Sequence, residues 1–262
     1  MSNMPGPVVI VTGASRGLGV AIAQWLAKLG ANVVLTARTS ADLSRTEKKI
    51  RDTGGRAISI PGDISNYQNC EKIVSETIRG FGRIDALVNN EGNIEPIASI
   101  ADGHIEDWEI NFAINVFGPV KLIQASLPFL REQKGRVINV SSGAAVLVTR
   151  GLGAYCAAKA AINQLTRVLA DEEPNITAIA LRPGSVNTSM QNTIREKGKA
   201  GMPEPVYQKF INQFDQGKLL APELPGKAAA ILALYALHEW SGEFIQWDDE
   251  RVKLLTQQFF MA

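Results

Sequence analysis

The sequence is poor in the residues on which several kinds of catalysis depend. It contains two cysteines, Cys70 and Cys156, and two histidines, His104 and His238. Neither pair forms the closely spaced cluster that a zinc site requires. A Ser-His-Asp hydrolase would have to use one of these histidines, and neither lies in a recognisable motif. We therefore expect no bound metal, reduced thiols, and histidines with surface or packing roles.

Strong charge of one sign and long apolar runs are also absent. The formal net charge is +1 at pH 7, which favours neither nucleic acid nor an anionic membrane as a partner. No apolar run approaches the roughly 20 residues that a membrane span needs. Met1–Pro7 lacks a basic region followed by a hydrophobic one, so no signal peptide is expected. These features predict a soluble, cytoplasmic protein.

The sequence does contain a regular alternation of short apolar runs and longer helical patterns. The apolar runs, rich in β-branched residues, predict strands covered on both faces: Val8–Thr12, Asn32–Thr36, Ala57–Ile60, Ile84–Val88, Arg136–Val140, Thr177–Leu181 and Glu243–Trp247. Helical patterns lie between them: Gly17–Leu29, Leu43–Arg51, Tyr67–Arg79, Ile105–Arg131, Ala154–Leu169 and Pro225–Leu237. Long crossovers are typical of parallel strands. We predict one α/β domain over residues 1–262, a doubly wound Rossmann fold with a seven-stranded, mainly parallel sheet.

Two segments are candidates for the substrate side of a site. Ser189–Glu223 is long, polar and punctuated by glycine and proline, which predicts a flexible flap over about residues 189–223. Ala145, Val146, Leu147 and Leu152 predict an apolar pocket wall that suits bulky or aromatic carbonyl compounds.

The first predicted strand leads into a glycine-rich turn, Thr12–Gly19, and then into a helix. Glycines permit a tight turn and close approach to a pyrophosphate, and the helix adds its positive N-terminal end. The spacing is Gly-x-x-x-Gly-x-Gly, which differs from the standard Gly-x-Gly-x-x-Gly. Its position after the first strand favours a dinucleotide site over a simple strand-helix turn. The expected contacts are Gly13, Ser15, Arg16, Gly17, Leu18 and Gly19.

The end of the second predicted strand bears on the choice of cofactor. An NAD site has an acidic residue about 20 positions after the glycines, and here that place holds Arg38. Arginine offers a bidentate fork for a 2′-phosphate, and Arg16 can reach the same group. The two arginines favour NADP(H), the alternative being that Arg38 is simply solvated. Asp63, after the third strand, accepts a hydrogen bond from the adenine amino group or caps the next helix.

Ser142, Tyr155 and Lys159 form a candidate catalytic set. Tyr155 and Lys159 are four residues apart, which places them on one face of a helix. An ammonium nearby is expected to lower the pKa of the phenol from its usual value near 10. The hydroxyl of Ser142 can hold a carbonyl oxygen on which negative charge grows. Alone, a Tyr-x-x-x-Lys pair is common on helices and usually structural.

In combination, these features resemble the short-chain dehydrogenases/reductases over roughly Val8–Trp247. The resemblance is carried by ordered motifs: Thr12–Gly19, Asp63, Asn89-Asn90-Glu91-Gly92, Asn115, Ser142, Tyr155-Cys156-Ala157-Ala158-Lys159, and Pro183-Gly184 with Thr188. It implies catalysis by Ser142, Tyr155 and Lys159. It further implies that Lys159 binds the nicotinamide ribose, and that Asn115, at a helix irregularity, supports a water-mediated proton relay to Lys159.

The resemblance also implies the remaining cofactor contacts. Asn89 would stabilise the central sheet and line the adenosine ribose. Pro183-Gly184 and Thr188 would bracket the nicotinamide carboxamide. Further contacts are implied at Ile64, Asn90, Tyr155 and Val186. The family usually has alanine where Glu91 stands, and this departure puts cofactor affinity in question more than chemistry.

Within the family, Tyr155–Gln191 is most similar to sepiapterin reductase and to benzil-type diketone reductases. Asp249 is the nearest match to the aspartate that anchors a pterin, and Cys156 is expected to pack rather than to react. The sequence thus predicts an NADPH-dependent ketone or diketone reductase. The alternatives are a non-catalytic NADP(H)-binding regulator and an NAD-dependent secondary-alcohol dehydrogenase. The resemblance also implies a homodimer or homotetramer, formed through the helices around Ile105–Arg131 and Ala154–Leu169.

Overall fold

Seven strands form one parallel sheet in the computed structural model, which describes residues 6–260. They are β1 (Val8–Thr12), β2 (Asn32–Thr36), β3 (Arg56–Ser59), β4 (Ala86–Asn89), β5 (Arg136–Val140), β6 (Thr177–Arg182) and β7 (Phe244–Gln246). Their order is β3-β2-β1-β4-β5-β6-β7, and every neighbouring pair is parallel. The predicted Rossmann fold is confirmed, with a sheet that is wholly parallel. Residues 1–5, on which the signal-peptide prediction largely rests, and residues 261–262 lie outside the described residues.

Helices cover both faces of this sheet. In chain order they are α1 (Gly17–Lys28), α2 (Ser40–Asp52), α3 (Tyr67–Phe81), α4 (Ile105–Phe112), α5 (Gly118–Gln133), α6 (Gly153–Glu172), α7 (Ser189–Gly201), α8 (Glu204–Asp215), α9 (Glu223–Tyr235) and α10 (Glu250–Phe260). Val9 and Val11 of β1 pack with α1, α2 and α9, whereas Val8 and Ile10 pack with α3 and α5. Since successive side chains of a strand point to opposite faces, this double cover explains the continuous apolar runs.

The site lies where the strand order changes direction. β1 and β4 are neighbours, and their connections leave toward opposite edges of the sheet. In such sheets a crevice opens at the carboxyl ends of these two strands. The glycine turn follows β1, and Asn90–Gly92 follows β4, so the topology brings both segments to this crevice.

The segments α4 and α5 form one helix through a π-helical turn, Ala113–Phe117. The 29 residues Ile105–Gln133 are, by length and composition alone, enough to cross a membrane, with a mean hydropathy of 1.3 in the relevant window. No continuous apolar run is involved, because asparagine, glycine and proline interrupt this segment without adding charge. In this fold the helix packs against α3 and α6.

The segment predicted as a flap contains two helices, α7 and α8, which the sequence reasoning missed. The glycines and prolines that suggested a loop mark helix ends instead. α7 ends at Gly201, Pro203 is the N-cap of α8, and Pro205 lies in the first turn of α8. Proline is tolerated at those positions because the first N–H groups of a helix have no partner within it. The mobility of the segment stays a prediction.

Candidate active site

The structure brings Ser142 and Tyr155 together at the start of α6. Ser142 follows β5 and caps a short 3₁₀ turn, where its Oγ accepts a hydrogen bond from the Ala144 N–H at 3.1 Å. The side chain of Ser142 also lies near the phenol of Tyr155 and acts to lower its pKa. Tyr155 is buried, and only 7% of its surface is exposed. The two hydroxyl groups therefore lie close together at the start of α6.

Lys159 lies one helical turn further along α6 and is also buried. Its Nζ donates to the carbonyl oxygen of Val140 at 2.9 Å and lies 5.6 Å from the centroid of the Tyr155 ring. Burial lowers the pKa of Lys159 to about 8, because the charged ammonium loses hydration.

Burial raises the pKa of Tyr155 to about 12, and the nearby Ser142 side chain only partly opposes this effect. The expectation that Lys159 lowers the pKa of the phenol is wrong for this structure. The ammonium lies over the ring and is held by Val140, so the loss of hydration dominates. At neutral pH Tyr155 is consequently protonated and can act as an acid.

Asn115 lies in the π-helical turn and is buried behind Lys159. Its Nδ2 donates to the carbonyl oxygens of Asn93 and Asn111 at 2.8 and 3.0 Å, and its Oδ1 accepts from the Asn93 N–H at 3.1 Å. A Cβ on Gly92 would lie 3.1 Å from Asn115 Oδ1 and 3.7 Å from Lys159 Nζ. Asn93 and Asn111 were missed, although the i, i+4 spacing of Asn111 and Asn115 was a visible signal.

The glycine turn is tied to the segment after β4. The Thr12 Oγ1 accepts from the N–H groups of Asn90 and Glu91, both at 2.9 Å, and Asn90 Nδ2 donates to the Thr12 carbonyl oxygen at 2.9 Å. A Cβ on Gly19 would lie 2.1 Å from the Gly13 carbonyl oxygen. Gly13 has a φ of +63°. These contacts explain why the turn needs glycine.

The N-terminus of α1 fits a dinucleotide pyrophosphate. Arg16 is its N-cap and makes no side-chain capping hydrogen bond within the described residues. The first turn, which contains Gly17, Leu18 and Gly19, carries no acidic side chain. Ser15 lies beside it and is partly exposed. The N–H groups of the first helical turn can donate to a phosphate group, and the positive end of the helix dipole attracts its charge.

Charged groups gather at the other end of the crevice, beyond the glycine turn. Arg38, after β2, has 62% of its side chain exposed, and Arg16 is also exposed. Glu91, after β4, is 12% exposed, and its Oε1 lies 3.9 Å from Arg38 Nε. We call this set, with Asp63, the adenosine end.

Asp63 does not cap α3. Its Oδ1 accepts from the Ser65 N–H at 2.9 Å, whereas Asn66 is the N-cap and accepts from the Asn69 N–H at 3.2 Å. The side chain of Ile64 is fully buried in the core, so any role in cofactor binding is limited to its main chain.

Two further groups of predicted contacts have structural partners. Asn89 is buried and donates from Nδ2 to Asn139 Oδ1 at 2.8 Å, which links β4 to β5. Thr188 is the N-cap residue of α7, and its methyl group lies 3.1 Å from where a Cβ on Gly17 would stand. Pro183 and Gly184 precede it directly after β6, with Gly184 at a φ of +78°, and Val186 forms an isolated bridge with Leu220.

The surroundings of Tyr155 are apolar. Ile94, Leu152, Ile194 and Met202 pack with it in one cluster, against which Met190, Val206, Tyr207 and Phe210 also pack. Leu152 thus lies in the predicted wall, while Val146 and Leu147 are 62% and 55% exposed. The helices α7 and α8 supply much of the apolar surface.

Four other residues singled out in the sequence have structural partners or packing. Asp249 accepts from the N–H and the guanidinium of Arg251, and these bonds lower its pKa. Cys70 and Cys156 are free thiols, and Cys156 packs near Tyr155. His238 Nδ1 lies 3.4 Å from Thr177 Oγ1.

The fold and these side chains define a nicotinamide-dependent oxidoreductase class, and the comparisons agree. The chain matches the family model of short chain dehydrogenases over residues 7–199 and belongs to that family. An uncharacterised oxidoreductase of Schizosaccharomyces pombe is 35% identical over 94% of this chain and 98% of its own. A benzil reductase ((S)-benzoin forming) of Saccharomyces cerevisiae is 32% identical over 94% and 98%. The crystal structure of a short chain dehydrogenase/reductase from the same yeast has a TM-score of 0.91 at 33% identity, covering 95% and 99%.

Proposed function

We propose that the chain is an NADPH-dependent carbonyl reductase that acts on a bulky ketone or diketone. The observation that carries the proposal is the buried phenol of Tyr155, with the Ser142 side chain beside it and the buried Lys159 one helical turn away. The similarity to a benzil reductase over nearly the whole chain supports an aromatic diketone as substrate. A sepiapterin-like substrate has less support, because Asp249 is paired with Arg251.

The side chains at the start of α6 have distinct roles in this reaction. Bound NADPH would supply the hydride, and the protein supplies alignment and the proton. Ser142 Oγ orients the carbonyl oxygen of the substrate. Tyr155, protonated at neutral pH because its pKa is about 12, donates its proton to that oxygen as negative charge develops. Lys159 holds a positive charge over the ring of Tyr155, and Asn115 positions the segment after β4 through Asn93.

The preference for NADPH rests on the adenosine end. Arg38 follows β2 and Arg16 follows β1, so both side chains can reach a 2′-phosphate at the carboxyl edge of the sheet. The position after β2 that an acidic residue occupies in NAD sites holds Arg38.

We also propose a homodimer or homotetramer formed through α4–α5 and α6. These helices expose apolar side chains, namely Ile110 (54%), Phe117 (53%), Leu165 (37%) and Val168 (39%). Exposed apolar residues concentrated on adjoining helices are typical of subunit interfaces. Light scattering of the purified protein would give a mass of two or four chains, and a monomer would contradict this proposal.

A cofactor-coupled assay tests the proposed reaction. The purified protein is mixed with benzil, a simple aliphatic ketone or a pterin, and the absorbance of NADPH or NADH is followed. We expect NADPH-dependent consumption of benzil that exceeds the rate with NADH. A higher rate with NADH would contradict the cofactor proposal, and cofactor binding without turnover of any carbonyl compound would favour a non-catalytic regulator.

A further inference from the structure

Glu91 is a buried carboxylate with an incomplete set of partners. Its Oε1 has Arg38 Nε at 3.9 Å, which is longer than a hydrogen bond, and its Oε2 has no hydrogen-bond partner among residues 6–260. A buried ionised carboxylate usually has close ionic and hydrogen-bonding partners. Glu91 therefore bears its charge at this position against an unfavourable loss of hydration.

The main chain of Glu91 is held against the glycine turn. Its N–H donates to Thr12 Oγ1 at 2.9 Å, and its Cα lies 3.0 Å from where a Cβ on Gly13 would stand. The residue is thus packed directly against the glycine turn that we assign to the pyrophosphate. Its carboxylate lies within the adenosine end, where it would interact with the charge of a 2′-phosphate.

The charged groups that face Glu91 come from the neighbouring strand ends. Arg38 and Arg16 favour its ionised form, and Asp63 opposes it. The Cys70 thiol of α3 also lies near enough to interact with the charge on Glu91. Burial raises the pKa of Cys70 to about 11, so the thiol stays neutral. Burial is the largest of these effects, and together they raise the pKa of Glu91 to about 7.

We propose, on the basis of the proposed function, that Glu91 determines cofactor specificity by competing with the 2′-phosphate of NADP(H) for Arg38. Because two anionic groups cannot share this arginine without repulsion, NADPH binding favours the protonated carboxyl group. NADPH binding then takes up a proton from solvent above pH 7, where free Glu91 is ionised. NADH has a neutral 2′-hydroxyl group, so its binding is much less sensitive to the charge on Glu91.

Binding titrations across pH test this proposal without an activity assay. The Kd values of NADPH and NADH are measured by fluorescence from pH 6.5 to 8.5 at constant ionic strength. We expect the Kd of NADPH to rise about tenfold over this range and that of NADH to change by less than about twofold. Ionisation of the 2′-phosphate itself, with a pKa near 6, would strengthen NADPH binding as pH rises, which is the opposite direction.

Glu91→Gln is the informative variant, and Glu91→Ala provides a second one should glutamine disturb the turn. Both should keep the Kd of NADPH nearly constant from pH 7 to 8.5. Glu95→Gln is the matched control, because Glu95 lies four residues further on the same segment, is 43% exposed and is paired with Lys197. It should retain the pH dependence of the wild-type protein.

Calorimetry in two buffers of different ionisation enthalpy gives the proton uptake directly. We expect net uptake on NADPH binding at pH 7.5 in the wild-type protein and none in Glu91→Gln. Equal pH profiles for the wild-type protein and Glu91→Gln would overturn the role of Glu91 while leaving the proposed reductase intact. Failure to bind either cofactor would overturn the proposed function and this inference with it.

Discussion

The catalytic end and the adenosine end of the crevice each bury an ionisable group, but they hold it differently. Lys159 has 4% of its surface exposed, and its Nζ has a close carbonyl partner at 2.9 Å. The Glu91 side chain is 12% exposed, yet its Oε1 lies 3.9 Å from Arg38 Nε and its Oε2 lacks a partner among the described residues. Burial moves the pKa of Lys159 down to about 8 and that of Glu91 up to about 7. The catalytic end is therefore organised by the protein itself, whereas the charge at the adenosine end responds to what binds there.

Tyr155→Phe is expected to give the largest effect and to separate the two ends. It removes the proton donor and leaves the contacts of the glycine turn and the adenosine end in place, so ketone reduction should fall about 1000-fold. The Kd of NADPH should change less than about twofold, as measured by fluorescence titration. Tyr207→Phe is the matched control, because the Tyr207 hydroxyl donates to the Arg195 carbonyl oxygen on α7. Wild-type turnover in Tyr155→Phe would remove the phenol from the mechanism.

Gly19→Ala should disturb the turn that joins the two ends. The added Cβ would lie 2.1 Å from the Gly13 carbonyl oxygen. Displacing that backbone costs roughly 1–3 kcal/mol, so NADPH affinity should fall by up to about 100-fold. Gly80→Ala in α3 is the control, since its Cβ would meet only Ile58 Cδ1 at 3.6 Å. If Gly19→Ala binds NADPH like the wild-type protein, the turn is not part of the cofactor site.

Arg38→Asp should change specificity at the adenosine end alone. It removes the guanidinium from the 2′-phosphate and places a carboxylate near the ribose, so the preference should shift toward NADH by about 30-fold. The ratio of kcat/KM for NADPH and NADH measures this shift. A wild-type protein that already favours NADH would contradict the role assigned to Arg38.

Glu91→Gln should also change the stability of the protein, and this effect should be the smallest of the four. Because the pKa of Glu91 is about 7 in the folded protein and its usual value is 4.5, the folded state binds more protons between these values. Stability should thus decrease as pH rises through this window, by about 1–3 kcal/mol, and stay constant above it.

Thermal unfolding at two pH values checks this effect. Glu91→Gln should melt about 2–5 °C above the wild-type protein at pH 8 and at the same temperature at pH 4. Glu95→Gln again provides the control on the same segment. A constant difference at both pH values would show that Glu91 does not titrate in this range.

The periodicity of the sequence was sufficient to predict the sheet and most helices. All seven strands were located to within two residues at either end, because double cover demands continuous apolar runs. The two helices within residues 189–223 were missed for a local reason. The glycines and prolines of residues 189–223 mark the ends of α7 and α8, and composition does not distinguish a helix end from a loop.

Part of the candidate site could likewise be predicted from the sequence, and part could not. The i, i+4 spacing of Tyr155 and Lys159 determined that they share a helix face, because helical geometry alone sets that relation. The raised pKa of Tyr155 was beyond the sequence, because it depends on burial by residues far away in the chain.

The sequence by itself determined the fold class, the glycine turn and the identities of the reactive side chains, since each follows from residue spacing or residue type. Only the tertiary structure decided that Asn66 rather than Asp63 caps α3, that Asn93 and Asn111 hold Asn115, and that Glu91 faces Arg38. The physical reason is that hydrogen bonds and charge interactions depend on distances and burial between segments, which spacing along one chain does not specify.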